Sequence, residues 1–254
     1  MKIAVLVKQV PGTESQLQIS DDQNWVKEDN LTFFTNESDN YAIEEALQII
    51  AKLDDGEVVA VSLGPERAKR TIREALSKGV DRGIHIDEPY PYNSDPLQIA
   101  KIIAETIKEE NFDLILSGLQ SDDNGFGQVG VLIGELLGMT TATLVMETEV
   151  TDTTVRVKRE LESGWYQWVT LTLPSSITIQ SGINNLRYPS LKGLMSAKKK
   201  EIKSVTVNNK LNPNQSILKI FNPKKSKKTE MIDGSVDQQI QRILDILKKE
   251  LKLF

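Results

Sequence analysis

Of the residue types that most often carry covalent or metal chemistry, cysteine is absent from the 254 residues and histidine occurs once. The lack of cysteine excludes disulfides, thiolate zinc sites, cysteine-ligated iron–sulfur clusters and cysteine nucleophiles. The single histidine, His85, lies in a strand-like run, Arg82-Gly83-Ile84-His85-Ile86, and reads as structural. The stretch best suited to hold a ligand is Ser117-Gly118-Leu119-Gln120-Ser121-Asp122-Asp123-Asn124-Gly125-Phe126-Gly127-Gln128-Val129-Gly130, between a strand and a helix. Glycines let backbone N–H groups approach a ligand closely, and a helix N-terminus favours an anion, so this is phosphate-binding chemistry. The spacing is not GxGxxG and there is no P-loop lysine. Asp122 and Asp123 would oppose a phosphate unless they turn outward or hold ribose hydroxyls. Read instead as metal ligands or acid–base groups, they have nothing beside them to complete a site. The competing reading of the whole stretch is a turn followed by a helix N-cap.

These residues need a scaffold, and the hydrophobic pattern supplies one. Residues 2–8 form a nearly continuous apolar run, as in a strand buried on both faces. Pro11-Gly12 marks a turn, and Leu31-Thr32-Phe33-Phe34 is a short strand-like piece. Asn36-Glu37-Ser38-Asp39 has N-cap chemistry ahead of a helix to Lys52, on which Tyr41, Ala42, Ala46, Leu47 and Ile50 recur at helical spacing. The unit repeats: strand 58–63, helix about 66–78, strand 82–86, and helix about 95–109 with Pro96 in its first turn. Strand 112–116 and helix 127–137 follow. Pro89, Pro91 and Asn93-Ser94 mark the loop before the helix at 95. This alternation predicts an α/β fold, a parallel sheet with helices on both faces, whose ligands sit past the carboxyl ends of the strands. The loops that matter are then those after Val7, Phe34, Leu63, His85 and Leu116.

After Gly138 the period changes to added strands at 141–150, 155–161, 167–173 and 176–179. Glu160 interrupts the apolar pattern. Trp165 and Trp168 read as packing residues on one strand face, with a partner surface as the second reading. The next stretch, 182–200, fits neither strand nor helix. It places Leu191 and Leu194 in a polar loop and ends in Lys198-Lys199-Lys200, which suits docking onto another protein. Beyond it the chain is polar, with a basic cluster at 224–228. The last 20 residues form an amphipathic helix with a stripe of Val236, Ile240, Ile243, Leu244, Leu247 and Leu251. That helix packs either on its own domain or on a partner. The expected divisions are 1–181 for the α/β domain, 182–200 for a recognition loop and 201–254 for a C-terminal extension.

Bulk properties exclude several classes. A net charge of −5 argues against a general nucleic-acid binder, and no run approaches the ~18 apolar residues of a membrane span. The start reads as a strand rather than a signal peptide, and the expected location is the cytoplasm. Hydrophobic residues, at 39%, suffice for a real core.

Several ordered motifs are similar to those of a known family. They are Val5-Leu6-Val7-Lys8-Gln9-Val10-Pro11, Tyr41-Ala42-Ile43-Glu44-Glu45-Ala46, Val61-Ser62-Leu63-Gly64-Pro65, Gly118-x-Gln120, Val157-Lys158-Arg159-Glu160-Leu161-Glu162-Ser163-Gly164, and Asn184-x-x-Arg187-Tyr188-Pro189-Ser190-Leu191 through Lys200. With these the sequence resembles the β (small) subunit of electron transfer flavoprotein along nearly its whole length, most thinly after about residue 203. The resemblance implies a fold like that of adenine-nucleotide-binding α/β domains. It implies pairing with a larger α subunit that holds the redox FAD, and a structural AMP in this subunit, or a second FAD in electron-bifurcating members. Acyl-CoA-type or related flavin dehydrogenases would deliver electrons, which pass to a quinone reductase or another acceptor. No catalytic residue is implied. A stand-alone ATP- or AMP-binding regulator of the same fold is the competing class.

Carried over by position, the resemblance puts nucleotide contacts on Leu6, on Asn36, Glu37, Ser38 and Asp39, and on Leu63. The rest fall on Gly118, Leu119, Gln120, Ser121, Asp122, Asp123, Asn124, Gly125, Phe126, Gly127, Gln128 and Val129. Glu160 matches the acidic residue that faces the partner's mobile FAD domain, and Leu191 the leucine that enters an apolar pocket on the dehydrogenase. The sequence departs from the family's pattern in places. It has Asn36-Glu37 where Asn-Pro is frequent, and Thr13 where AMP-type members carry an aromatic residue. Asp39 and Val129 stand where AMP-type members have cysteine and threonine, and bifurcating members have aspartate and valine. Asp123-Asn124-Gly125 stands where bifurcating members have Asp-Gly-Asp. The absence of that full loop favours AMP.

Overall fold

Strand β1 (Lys2–Leu6) is buried on both faces, which is why its sequence shows no alternation. The computed structural model describes residues 1–88, 95–206, 213–223 and 229–253; the loop signals at 89–94 and the basic cluster at 224–228 lie outside the described residues. After β1 come a short ribbon of β2 (Gln9–Pro11) and β3 (Phe33–Thr35), helix α1 (Glu37–Leu53), β4 (Glu57–Gly64), a single 3₁₀ turn, α2 (Lys69–Lys78) and β5 (Arg82–Asp87). Then follow α3 (Pro96–Ile107), β6 (Leu114–Gly118), α4 (Val129–Leu136), β7 (Thr140–Val150), β8 (Thr154–Glu160), β9 (Tyr166–Thr172) and β10 (Ser175–Ile179). Helix α5 (Leu191–Ala197) and β11 (Ile202–Thr206) complete the sheet-bearing unit, Met1–Ile220. A second unit, Phe221–Phe254, holds α6 (Val236–Asp245), which begins with a capping box of Ser235 and Gln238 and ends in a π-helical turn.

The strands of the first unit form a nine-stranded sheet in the order β11-β5-β4-β1-β6-β10-β7-β8-β9, with only β8 running against the rest. The sheet is covered on both faces. Ile3, Val5 and Val7 meet Ala42, Ile43 and Ala46 of α1 and Ile72 and Ala75 of α2. Ala4 and Leu6 meet Ala100 and Ile103 of α3 and Ile133 of α4 on the other face. From β1 the chain builds outward to β4 and β5, then returns to lay β6 on β1's other side. The connection therefore reverses beside β1, and a crevice opens past the carboxyl ends of β1 and β6.

Three expectations are corrected here. The stretch 182–200 contains a helix, α5, begun by Ser190, whose Oγ accepts the Gly193 N–H at 3.0 Å. Gly193 in its middle and a length of seven residues hid its period. The polar chain after Lys200 supplies β11, an edge strand whose Ile202 and Val205 are half-buried against opposite faces of the sheet, with Lys203, Ser204 and Thr206 exposed. Trp165 and Trp168 do not share a face. Trp165 precedes β9 and is 73% exposed, whereas Trp168 sits in β9 opposite Lys158 with the Arg156 guanidinium 4.2 Å from its ring. As the edge strand of the sheet, β9 packs neither ring into the core, and Trp168 stays 37% exposed beneath Arg156. His85 is fully buried in β5, its Nε2 3.0 Å from the Gly64 carbonyl, in keeping with a structural residue.

Candidate functional site

A cleft lies at the carboxyl ends of β1, β4 and β6, where the topology reverses. Its apolar wall is made by Leu6, Val61, Leu63, Ile99 and Ile103, and its polar end by the loop from Ser117 to Gly130. Of the residues picked from the sequence, Leu6, Asn36, Asp39, Leu63, Gly118, Leu119, Gln120, Ser121, Asp123, Asn124, Phe126, Gly127, Gln128 and Val129 line this one cleft. Glu37, Ser38, Asp122 and Gly125 stand behind its rim. Glu160 and Leu191 are elsewhere, at the end of β8 and at the start of α5.

The loop keeps its shape because the first turn of α1 holds it. Asn36 donates from Nδ2 to the Gln120 carbonyl at 3.0 Å, and its Oδ1 accepts the Asp122 N–H at 2.9 Å. Ser38 Oγ donates to the same Gln120 carbonyl at 2.9 Å. Asp39 joins two strand ends: one oxygen accepts the Lys8 N–H at 2.7 Å, the other the Gly118 N–H at 2.9 Å. Gly118 is required there, since a Cβ would overlap Ser38 Oγ and Asp39 Oδ1. Burial pushes the Asp39 carboxyl up to about 6, although the N–H groups of Lys8 and Gly118 and the Asn36 side chain pull it down.

The two acids of the loop do not face a ligand as free charges. Asp122 Oδ2 accepts the Glu37 N–H at 3.3 Å, so it serves the N-terminus of α1, which has no side-chain cap of its own. Asp123 pairs with Lys8, Nζ to Oδ1 at 2.6 Å. Burial alone would raise its carboxyl; the Lys8 ammonium, with bonds from Ser121 and the Asn124 N–H, holds it below the usual range. Both carboxylates are thus answered by groups on other elements, and the cleft's polar end is left to donors.

Those donors fit a phosphate. Helix α4 has no side-chain cap, so its first N–H groups have no partner from its own N-cap. Gly127 enters it with φ +62°, a conformation that favours glycine. Gly130 lies so close to β6 that a Cβ would overlap Ser117 Oγ. Ser117 Oγ and Thr178 Oγ1, in register on β6 and β10, are buried with no protein partner. Of the two, Ser117 lines the cleft, and an uncapped helix start beside an unpartnered hydroxyl is chemistry for an oxyanion. Sequence reading gave no ligand role to Lys8 or Thr178, and it included Ser117 in the candidate stretch without counting it among the contacts. Lys8 could have been sought as the cation that two loop acids require. Thr178 carried no local signal, because β10 reaches β6 only through the sheet.

At the cleft's mouth the Arg67 guanidinium stacks 3.7 Å over Phe33 and binds both oxygens of Glu28 at 3.0 and 2.9 Å, so the chain before β3 is fastened beside the opening. Among the described residues no acid or histidine cluster could hold a metal ion, and no helix is long and apolar enough to cross a membrane.

The protein-family model described as "Electron transfer flavoprotein domain" matches residues 24–210. The chain is similar to the electron transfer flavoprotein subunit beta of Methylophilus methylotrophus, at 34% identity over 98% of both chains. It is 31% identical to the Bacillus subtilis protein of that name over the full length of both. It is also 34% identical to the mitochondrial subunit beta of Arabidopsis thaliana, over 96% of this chain and 97% of that one.

Proposed function

This chain belongs to the electron transfer flavoprotein family as a β subunit, and on that premise we propose that it is the nucleotide-holding half of a two-subunit electron carrier. Its partner is an α subunit with the redox FAD, and its cleft holds AMP. Bound flavin in the partner supplies the one-electron and two-electron chemistry. The residues of this chain bind and position. Leu6 and Leu63 would flank the adenine and read its edge through backbone groups. The N–H groups of Gly127, Gln128 and Val129, with Ser117 Oγ, would take the phosphate. Glu160, whose Oε2 accepts the Gln180 side chain at 3.0 Å, would face the partner's flavin domain. Leu191, which is 84% exposed, would enter a pocket on a flavin dehydrogenase of the acyl-CoA or a related type. Electrons then leave for a quinone reductase or another acceptor.

The observation that carries this reading is the cleft itself. It has an apolar wall at one end and an uncapped helix beside Ser117 at the other, at the point where strand order reverses. Asp39 is of the type seen in bifurcating members, which favours a second FAD. Here, however, both its oxygens are occupied by the N–H groups of Lys8 and Gly118, so its identity serves the scaffold and says nothing of the ligand. The test is mass spectrometry of nucleotide released on denaturing the heterodimer co-expressed with its α subunit. AMP and FAD in equal amounts are expected. FAD alone, at two per heterodimer, makes this the bifurcating type. A chain that stays monomeric beside the α subunit and releases ATP is a stand-alone regulator.

A further inference from the structure

Helix α1 carries more than the nucleotide loop. One turn beyond Asp39, Glu44 and Glu45 reach the opposite way, to the stretch that begins at Asn184. Both carboxylates are buried, at 5% exposure each. Glu44 binds Arg187 twice, from Nε at 2.6 Å and Nη2 at 3.0 Å, and also accepts the Arg187 N–H at 3.3 Å. Glu45 accepts Asn184 Nδ2 at 2.9 Å, and the same amide donates to the Tyr41 carbonyl at 3.1 Å. Helix α2 holds the far end. Arg73 Nη1 donates to the carbonyls of Ala197 and Lys200 at 2.5 and 2.6 Å. Gly193 lies against the end of α2 so closely that a Cβ would overlap the Ser77 carbonyl oxygen.

A tether that only had to be long would not bury two carboxylates. Burying a charge is costly unless it is paired or hydrogen-bonded; here Glu44 is paired with Arg187, Glu45 is shared between Asn184 and Thr148 of β7, and the segment they hold leaves its own large side chains outside. Tyr188, Leu191 and Met195 are 92%, 84% and 65% exposed. We propose that Glu44 and Glu45, with Arg73, are positioning residues that hold 184–197 as a pre-ordered probe, with Leu191 fixed before any partner arrives. This rests on the reading of that segment as the docking element. Its physical content is that ordering is completed in the free protein, so encounter with the dehydrogenase does not bear that entropy.

The test uses the heterodimer with its flavin-bearing partner and an acyl-CoA dehydrogenase reduced by its own substrate. Glu44→Gln removes the ion pair. Gly193→Ala, which leaves every acid intact, pushes α5 off α2 and covers the case in which the first variant folds poorly. In each, hydrogen exchange of peptides within 184–197 should quicken about tenfold or more, and KM for the dehydrogenase should rise about tenfold with kcat within about twofold. Nucleotide content should hold, because neither residue lines the cleft, and it is the rise in KM without a matching fall in kcat that a merely structural defect would not give. Unchanged exchange in both variants overturns the proposal. So does faster exchange with unchanged KM, and Leu191→Ala then shows which idea has failed. If Leu191→Ala raises KM, docking stands and pre-ordering falls; if it does not, the docking reading itself is wrong.

Discussion

The loop 118–129 and the segment 184–197 both hang from helix α1, and they are fastened to opposite ends of its first two turns. The loop is gripped through its backbone: Asn36, Ser38 and Asp39 take the Gln120 carbonyl and the N–H groups of Asp122 and Gly118. Its two acids are answered elsewhere, and its free donors face a concave space. The segment is gripped on α1 chiefly through its side chains Asn184 and Arg187 and on α2 through the Ala197 carbonyl, and its large side chains Tyr188, Leu191 and Met195 point away from the body. A binding cleft needs a rigid rim and unpartnered donors inside it. A docking probe needs a rigid base and apolar side chains outside it. In the proposed reading one helix supplies both, because residues at its start lie at the strand ends while residues about a turn later face the neighbouring surface.

The comparison predicts that damage to the loop costs stability and nucleotide together, whereas damage to the probe's tip costs neither. Gly118→Ala is the largest case. The added Cβ meets Ser38 and Asp39, so the knot at the cleft must open, at roughly 3 kcal/mol of stability with loss of bound nucleotide. Thermal unfolding and released nucleotide measure both. A variant of native stability and full occupancy would mean the loop tolerates what this geometry forbids.

Next is a pH effect confined to the cleft. The folded Asp39 carboxyl titrates near 6, against 3.8 ordinarily, so the folded state binds its proton more tightly than the unfolded chain. Stability from this group is fully present below about 4 and is lost as pH rises through about 6, on the order of 3 kcal/mol. Asp39→Asn removes that slope, although its amide leaves one N–H unmatched at every pH. Denaturant unfolding of both proteins between pH 4 and 7 should show a flatter profile for the variant; parallel profiles would assign the slope elsewhere.

Leu191→Ala should slow reduction by the dehydrogenase at a cost of about 2 kcal/mol, roughly 30-fold in efficiency, with unfolding temperature and nucleotide content unchanged. Stopped-flow reduction of the heterodimer reads this, and a loss of stability would move Leu191 from the probe's tip to the scaffold. The smallest effect belongs to Gly127→Ala. At φ +62° an alanine is strained by about 1 kcal/mol, and the backbone proposed to take the phosphate shifts with it. Nucleotide affinity should fall several-fold while docking kinetics stay as they were. Coupled loss of both would join two regions that the structure keeps apart.

Much of this was legible in the sequence, for a physical reason. Strand burial, helix periodicity and turn residues are set by neighbours a few positions apart, so the alternation of elements, the parallel sheet and the loops at its carboxyl edge could be read in order. The glycine-rich loop and the leucines after residue 182 stood out as types that their surroundings did not need. Where local signal was weak, the reading failed: a seven-residue helix with a glycine inside it, and a five-residue edge strand with one half-buried apolar residue on each face.

Only the tertiary structure decided which groups answer one another. Asp123 and Lys8 lie 115 residues apart, and Arg187 and Glu44 are separated by 143. A charge's partner depends on which strands are adjacent and where each helix points, which no window of sequence contains. Residue types alone left open whether two acids in a phosphate loop would repel a ligand, and whether a stretch with two leucines was a loose tether. Close packing resolved both, turning the acids toward a lysine and a helix end, and setting the leucine at the tip of a segment fixed at its base.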